Sequence, residues 1–378
     1  MNILYYSWNE MIKEDAISSL KSLGHNITEY TAKFEKYDFD DREMICLKNT
    51  IDSSKESFDI IFSFNYFPDV SRVASEKCIP YVSWVYDNPH LTLESKTLNN
   101  DVNRVFLFDS LMVEKHKKLG VQNVYYSPLP AKIIKKANNE YKHDITFVGT
   151  LYDGDKDQYG MIKYLPDNLR YRLDKIILSQ HILLGFDIVD EPIKKIEKEI
   201  ASYVNTSLGD NYRKCDIDIF SDILRKRVTM YDRIRALSVL GESFKTSLYC
   251  EKNHPELPVN YMGTVSNEKL ETVLNESKIN LNLSLRSIRR GIPLRVMQIL
   301  GAGGFCLTDY KEDMDGLLAD GEDIVCFWSE EEMVDKCRYY LSHEEERKKI
   351  VQRGFETAKK KLSYSVLFER IFDLINVN

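Results

Sequence analysis

The sequence predicts an α/β chain built from two doubly wound halves, each a parallel sheet with helical crossovers. Three observations predict it. Short apolar runs alternate with helical patterns through the N-terminal third, and the same alternation resumes after about residue 225. A polar, lysine-rich stretch, Lys135–His143, separates the two regions as a linker. Strands joined by helical crossovers pair in parallel, and ligands of such sheets gather beyond the carboxyl ends of the strands. A length of 378 residues suits about two domains.

In the first half, Ile3–Ser7 reads as a strand, Glu14–Leu23 as a helix stopped by Gly24, and His25–Tyr30 as a second strand. Phe58–Ser63 is a third strand, followed by a helix over Pro68–Lys77 with proline in its first turn. Pro80–Val85, Arg104–Asp109 and Val124–Ser127 complete the strands of this half. The second half opens with a strand over Asp144–Val148, and residues from about 155 to 225 carry helical spacing with little strand signal. Alternation then returns. Tyr231–Leu240 is a helix, Ser247–Cys250 and Val259–Met262 are strands, Lys269–Ser277 is a helix and Ile279–Ser284 a strand. Ile324–Trp328 adds a strand, a helical run continues through Tyr340, and two more helices close the chain.

A formal net charge of −7 argues against a nucleic-acid-binding surface. The seven cysteines are odd in number, lack CxxC spacing and sit partly inside apolar runs, which favours a reducing, cytoplasmic setting. Met1–Tyr6 reads as a buried strand rather than a leader, and no apolar run is long enough to span a bilayer. The basic run from Arg347 to Lys361 reads as a solvated helix face, with at most a weak peripheral membrane contact.

The chemistry concentrates between Leu281 and Tyr310. An apolar run breaks into an arginine-rich loop, restarts at Pro293 as a short helix, and stops at Gly301-Ala302-Gly303-Gly304 before another apolar run. The N-terminus of such a helix offers unpaired N–H groups and a positive dipole end. Arg286, Arg289, Arg290 and Arg295 crowd the same place, and guanidinium forks match phosphate oxygens. A diphosphate-bearing ligand is the expectation. Solvated arginines and glycines that only pack a helix on a sheet are the ordinary alternative. The pattern is neither GxxxxGK[ST] nor GxGxxG.

Two Rossmann-like halves with an arginine-glycine site in the second describe a GT-B architecture. Its domains face across a cleft, and a final helix, here Tyr364–Ile375, crosses back to the first. Distinctive strings run along the first half, Phe62-Ser63-Phe64-Asn65-Tyr66-Phe67-Pro68, Tyr81-Val82-Ser83-Trp84-Val85-Tyr86-Asp87-Asn88-Pro89-His90 and Phe106-Leu107-Phe108-Asp109. Others run along the second, Ser277-Lys278-Ile279-Asn280-Leu281-Asn282, Gly291-Ile292-Pro293-Leu294-Arg295-Val296, Gly301-Ala302-Gly303-Gly304-Phe305 and Tyr339-Tyr340-Leu341. In these strings the chain resembles the CgeB-like bacterial glycosyltransferases, related to the retaining GT-B enzymes. The resemblance implies an acceptor domain over 1–140 with the helix 363–378, and a nucleotide-sugar domain over 141–362 with a helical insertion at about 155–225.

The resemblance also distributes roles. Arg295, with the N–H groups near Pro293 and Leu294, is expected to stabilise the leaving diphosphate, and Arg286 and Arg290 are second choices. Gly149 and Thr150 are placed beside the diphosphate, with Lys156 in reach, and Gly303 and Gly304 complete the donor site. Related retaining enzymes carry a glutamate pair, E-x7-E, where this chain has Arg290 and Gln298. Gln298 keeps hydrogen-bonding capacity toward a ribose diol but no charge. Where relatives have His-Thr-Tyr this chain has Leu362-Ser363-Tyr364. On the acceptor side, His90 suits general-base work by its titration range, with Asp87 as the choice for an inverting enzyme. Asn65, Tyr66, Trp84 and Tyr86 would shape the sugar pocket. Asp-Asn-Pro is otherwise ordinary turn chemistry. Asp153-Gly154-Asp155 has the spacing of a metal motif but lies in a polar loop, so no metal is expected. The implied donor is a nucleotide-sugar, UDP-sugar favoured, with no other cofactor. The acceptor is a glycan, a spore or surface polysaccharide, or a protein. A catalytically weak sugar-nucleotide-binding partner and a donor epimerase are the alternatives.

Overall fold

The computed structural model describes residues 1–35, 38–134, 140–154 and 158–376. It divides into two units, one of Met1–Pro130, Leu208–Lys214 and Leu362–Asn378, the other of Ala131–Ser207 and Cys215–Lys361.

The first unit is built on six parallel strands: β1 (Asn2–Ser7), β2 (Asn26–Thr31), β3 (Ile60–Phe64), β4 (Tyr81–Val85), β5 (Asn103–Leu107) and β6 (Val124–Tyr126). Their order is β2-β1-β3-β4-β5-β6, with Ile3 opposite both Ile27 and Ile60. Every residue of β3 and β4 is buried, as expected for strands covered on both faces. Helices α1 (Lys13–Ser22), α2 (Asp41–Ser53), α3 (Pro68–Lys77) and α4 (Ser110–Lys118) make the crossovers. Pro68 takes the first helical position of α3, where its missing N–H costs nothing. Asp40 and Asp109 cap α2 and α4 by accepting from Glu43 N–H and Leu111 N–H. The sequence reading did not anticipate α2. Only Glu43 and Leu47 of that helix are buried, too thin a stripe to betray it. The C-terminal helix, α12 (Tyr364–Asn376), belongs to this unit. Its Phe368 packs edge-on against Phe62 and Trp84, and Phe372 meets His25.

The segment Leu208–Lys214 also joins this unit. Arg213 pairs with the buried Glu94 at 3.3 Å, beside Lys115 at 3.0 Å and the His116 ring at 3.7 Å. Burial alone would raise the Glu94 carboxyl, but Lys115, His116 and Arg213 hold it below its ordinary value. Burial lowers His116. Both groups therefore bind fewer protons folded than unfolded, so stability is lost on acidification. The melting temperature is expected to fall from pH 7 to pH 5.5, beginning below about 6.5, where an unfolded histidine takes its proton. Differential scanning fluorimetry across that range checks this; a flat profile contradicts it.

The second unit carries β7 (His143–Val148), β8 (Thr246–Tyr249), β9 (Asn260–Gly263), β10 (Ser277–Asn282), β11 (Cys306–Asp309) and β12 (Val325–Phe327), all parallel. Their order is β12-β11-β10-β7-β8-β9. Helices α5 (Asp167–Ile182), α6 (Asp190–Ala201) and the first half of α7 (Asp216–Ser243) form the helical insertion. It has a core of its own, in which Leu169 and Leu173 meet Ile193, Ile196, Phe220 and Leu224. The second half of α7 instead packs on the sheet through Ala236, Leu237 and Leu240. Helices α8 (Asn267–Asn275), α9 (Leu294–Gly301), α10 (Glu330–Ser342) and α11 (Glu344–Thr357) complete the unit. No described helix is long and apolar enough to cross a membrane.

One expectation about this unit fails. Arg347, read as part of a solvated basic face, is 1% exposed and donates to the Tyr340 carbonyl with its guanidinium over the Tyr141 ring. It ties α11 to α10.

Candidate functional site

A parallel sheet opens a crevice where its strand order reverses. In the second unit that point lies between β7 and β10, because the chain runs outward from β7 to β9 and then restarts on the other side at β10. Gly149 and Thr150 follow β7; Leu283 follows β10. Arg233 of α7 closes the gap, donating to the carbonyls of both Leu283 and Thr150. Its guanidinium also lies over the rings of Phe147 and Tyr152. Gly149 lies close to this contact: a Cβ there would press on the Phe147 ring at 3.3 Å and make ordinary contact with Arg233 Nη1 at 3.8 Å.

Arg295 stands at the second position of α9, after Pro293, which sits at the cap with Leu294 opening the helix. Its Nη1 is buried with no hydrogen-bond partner. Burial and the neighbouring Arg233 charge push its guanidinium down to about 10. Arg233 is lowered by burial too. Among the described residues, neither arginine has a carboxylate within ion-pair distance. Asp309 and Asp232 offset part of the Arg233 cost from further away, but two adjoining guanidinium groups with no carboxylate in contact leave room for an anion to stabilise them. Gln298, one turn after Arg295, lies on the same helical face.

The other arginines of the motif each pair with an acid. Arg286 pairs with Asp232 at 2.6 Å, Arg289 with Asp190 at 2.9 Å and Arg290 with Glu312 at 2.8 Å. Arg286 and Arg289 lock the 283–290 loop to the insertion, where Arg225 also holds Asp187 and Asp190. In this structure Arg286 and Arg290 serve as loop anchors through these pairs, although Arg286 Nη2, like Arg295 Nη1, is buried without a hydrogen-bond partner. Gly303 and Gly304 are corrected, because they lie beyond the C-terminal end of α9, opposite the end that carries Arg295. Gly303 takes the left-handed φ of +69° that stops the helix, and a Cβ on Gly304 would come within 2.7 Å of the Asn280 amide. Lys156 and Asp155 lie outside the described residues.

Arg233 was missed. Its signal was present: it shares the buried register of α7 with Met230, Leu237 and Leu240, where an apolar side chain is expected.

In the first unit the strand order reverses between β1 and β3. Trp8 follows β1 and Asn65 follows β3, and Trp8 Nε1 donates to the Phe64 carbonyl. Tyr86 stacks on Trp8 with ring centroids 6.1 Å apart. The buried Glu10 fixes this corner, accepting from Tyr5 Oη at 2.6 Å and from Trp8 N–H at 3.0 Å. Asn65 takes a left-handed φ of +61° and is buried. It donates to Asp87 at 2.7 Å and accepts from the N–H groups of Tyr86 and Asp87. Asn65 thus shapes the 86–90 turn, which includes a cis Asn88–Pro89 bond. Asp87 is an exposed residue. His90 Nε2 lies 3.2 Å from Tyr66 N and 3.0 Å from Tyr66 O. Burial lowers its pKa, so the ring is neutral near pH 7. Two pocket expectations fail: Trp84 and Tyr66 are fully buried. Trp84 stacks on Phe64, and the Tyr66 hydroxyl bonds Thr97 and Asn103. Tyr86, with the unanticipated Trp8, keeps an aromatic face at this corner.

Residues 225–373 match the family described as "Glycosyl transferase-like". No curated protein matches the sequence. Among solved structures, an alpha-glucosyltransferase in complex with UDP and a 13-mer DNA containing a HMU base covers 100% of this chain and 99% of its own, at 11% identity and a TM-score of 0.55. The sucrose-phosphate synthase of Thermosynechococcus elongatus covers 100% of this chain and 98% of its own, at 8% identity and 0.53. The T4 phage beta-glucosyltransferase covers 99% of this chain and 100% of its own, at 10% identity and 0.53. Similarity at this level establishes the fold, a GT-B arrangement of two Rossmann-like domains. The family match and the fold together support an enzyme of the glycosyltransferase class.

Proposed function

We propose that this protein moves a sugar from a nucleotide-diphosphate donor to a glycan or protein acceptor, acting in the cytoplasm. One observation carries the reading: the buried Arg233 and the partnerless, buried Nη1 of Arg295 adjoin at the reversal point of the second sheet, and among the described residues neither guanidinium has a carboxylate within ion-pair distance. A diphosphate supplies the missing negative charge, and charge that grows on the leaving phosphate during transfer meets guanidinium groups already in place. The leaving group is stabilised by these cations rather than by a metal ion. Gln298 lies on the helical face of Arg295 and takes the ribose diol. Trp8 and Tyr86 offer the acceptor sugar an aromatic face, with Asp87 and His90 at the neighbouring turn. Kinship with the CgeB-like enzymes, and retention of anomeric configuration, belong to the same proposal. The net charge of −7 disfavours a nucleic-acid acceptor.

The test is turnover. The full chain is incubated without acceptor with sugars activated by UDP, GDP, ADP, CMP or dTDP, with and without a chelator, and sugar release is followed. One donor is expected to be hydrolysed slowly and equally in both conditions. Binding without any turnover makes the protein a sugar-nucleotide-binding partner, and reversible isomerisation of the donor makes it an epimerase.

A further inference from the structure

The helical insertion shows solvent more apolar surface than its own packing needs. Seven of the eighteen exposed large apolar side chains among the described residues fall between Met161 and Phe186, so they are concentrated rather than scattered. On α5 they form a stripe. Leu169, Leu173, Ile176 and Ile177 fill its inner face and pack into the insertion core. Tyr171, Leu178 and Ile182, spaced by seven and four residues, lie on the opposite face at 63%, 49% and 80% exposure. Leu183 and the 76% exposed Phe186 extend the stripe beyond the helix. Their loop is held in place: the buried Gln180 amide donates to the Leu183 and Phe186 carbonyls and accepts from Ile188 N–H. Single exposed apolar residues are ordinary, whereas a contiguous stripe marks an interaction surface.

The charges beside the stripe decide what kind of partner fits. Lys175 Nζ lies 5.1 Å from the Tyr171 ring centroid, and Lys163 Nζ lies 4.9 Å from that of Tyr164. Among the described residues neither ammonium has an acid within ion-pair distance. Arg170 is paired with Asp167 and Arg172 with Glu199. Asp174, the remaining acid of α5, accepts from Tyr159 Oη at 2.9 Å. In a chain of formal net charge −7, this face therefore sets unpaired lysines and exposed tyrosines beside an aliphatic stripe. Such a face suits a lipid interface, where aliphatic groups sink to the acyl boundary and ammonium groups reach the headgroups. We infer that the outward face of α5, with Leu183 and Phe186, docks the protein on an anionic lipid surface. Leu178, Ile182 and Phe186 enter the acyl boundary, and Lys163 and Lys175 meet the lipid phosphates. The docking is independent of the diphosphate reading of Arg233 and Arg295.

Flotation of the full chain with vesicles of phosphatidylcholine, alone or mixed with phosphatidylglycerol, tests it. The variants are a triple one, Leu178→Gln, Ile182→Gln and Phe186→Gln, and a double one, Lys163→Gln and Lys175→Gln. All five side chains are exposed, so the urea midpoints of both variants should match that of the native protein. The native chain is expected to float with the phosphatidylglycerol vesicles, to prefer them over phosphatidylcholine, and to be released at high salt. The double variant is expected to bind about thirtyfold more weakly, and the triple variant to stay in solution. No flotation of the native chain, equal flotation on the two vesicle types, or equal flotation of the triple variant overturns the inference. Self-association in sedimentation velocity that the triple variant abolishes, without vesicle binding, overturns it in favour of a second copy of the chain.

Discussion

Replacing Arg295 with alanine is expected to weaken nucleoside-diphosphate binding by about ten- to a hundredfold while leaving the free protein as stable as before, or more stable. The two halves of that result have one cause. Arg295 has a buried Nη1 without a partner and a guanidinium pushed down by burial and by Arg233. Removing it relieves a repulsion between like charges in the empty protein. The lost charge-assisted bonds to phosphate are worth about 1.5–3 kcal/mol in the complex. A structural arginine behaves in the opposite way. Arg225, held by Asp187 and Asp190, is expected to lose stability on truncation because two acids are left unpaired. Titration calorimetry with UDP, paired with urea unfolding of the unliganded variants, separates the cases. A destabilised Arg295→Ala protein with unchanged affinity contradicts the assignment.

Gly301→Ala is expected to destabilise the second unit by about 2–3 kcal/mol, as overpacking against backbone does. A Cβ at Gly301 would stand 2.1 Å from the Lys132 carbonyl oxygen, and backbone cannot turn aside as a side chain can. The same stretch is bonded there, since Ile134 N–H donates to the Gly301 carbonyl. Relief requires α9 or the 131–134 stretch to move, and α9 carries Arg295 at its other end. Donor affinity should therefore fall along with stability. Gly160→Ala is the control: nothing lies within 4 Å of that Cβ, and its stability should be unchanged. Urea midpoints of the two variants decide the matter, and equal midpoints contradict the packing account.

Periodicity made most of the fold legible. Strands such as Tyr81–Val85 and Ile60–Phe64 are continuous apolar runs because both faces are covered, and Pro68 marked the start of α3. The helix Asp41–Ser53 was hidden by its thin buried stripe. The candidate site was legible as a place more than as a set of residues. The arginine-rich loop pointed to this corner, but residue type cannot distinguish Arg290, paired with Glu312, from Arg295, which among the described residues has no acid within ion-pair distance. That distinction depends on partners brought in from distant segments, such as Asp232 for Arg286 across 54 positions. Arg233 joins the site only once α7 packs on the sheet. Trp84 and Tyr66 were misplaced for a related reason. An aromatic near the end of a strand points either into the core or out of it, and here both went inward while Tyr86 and Trp8 stayed partly open.

The central claim is that Arg233 and Arg295 form the seat of a diphosphate. The most direct measurement is a thermal-shift titration of the full chain with UDP, GDP, ADP, CDP and dTDP, repeated on the Arg233→Met, Arg295→Met double variant. A ligand held at about a hundred times its dissociation constant adds about 2.7 kcal/mol to stability. At least one diphosphate is predicted to raise the melting temperature of the native protein and to leave that of the double variant unchanged. No shift with any of them, or an equal shift in the double variant, would contradict the account.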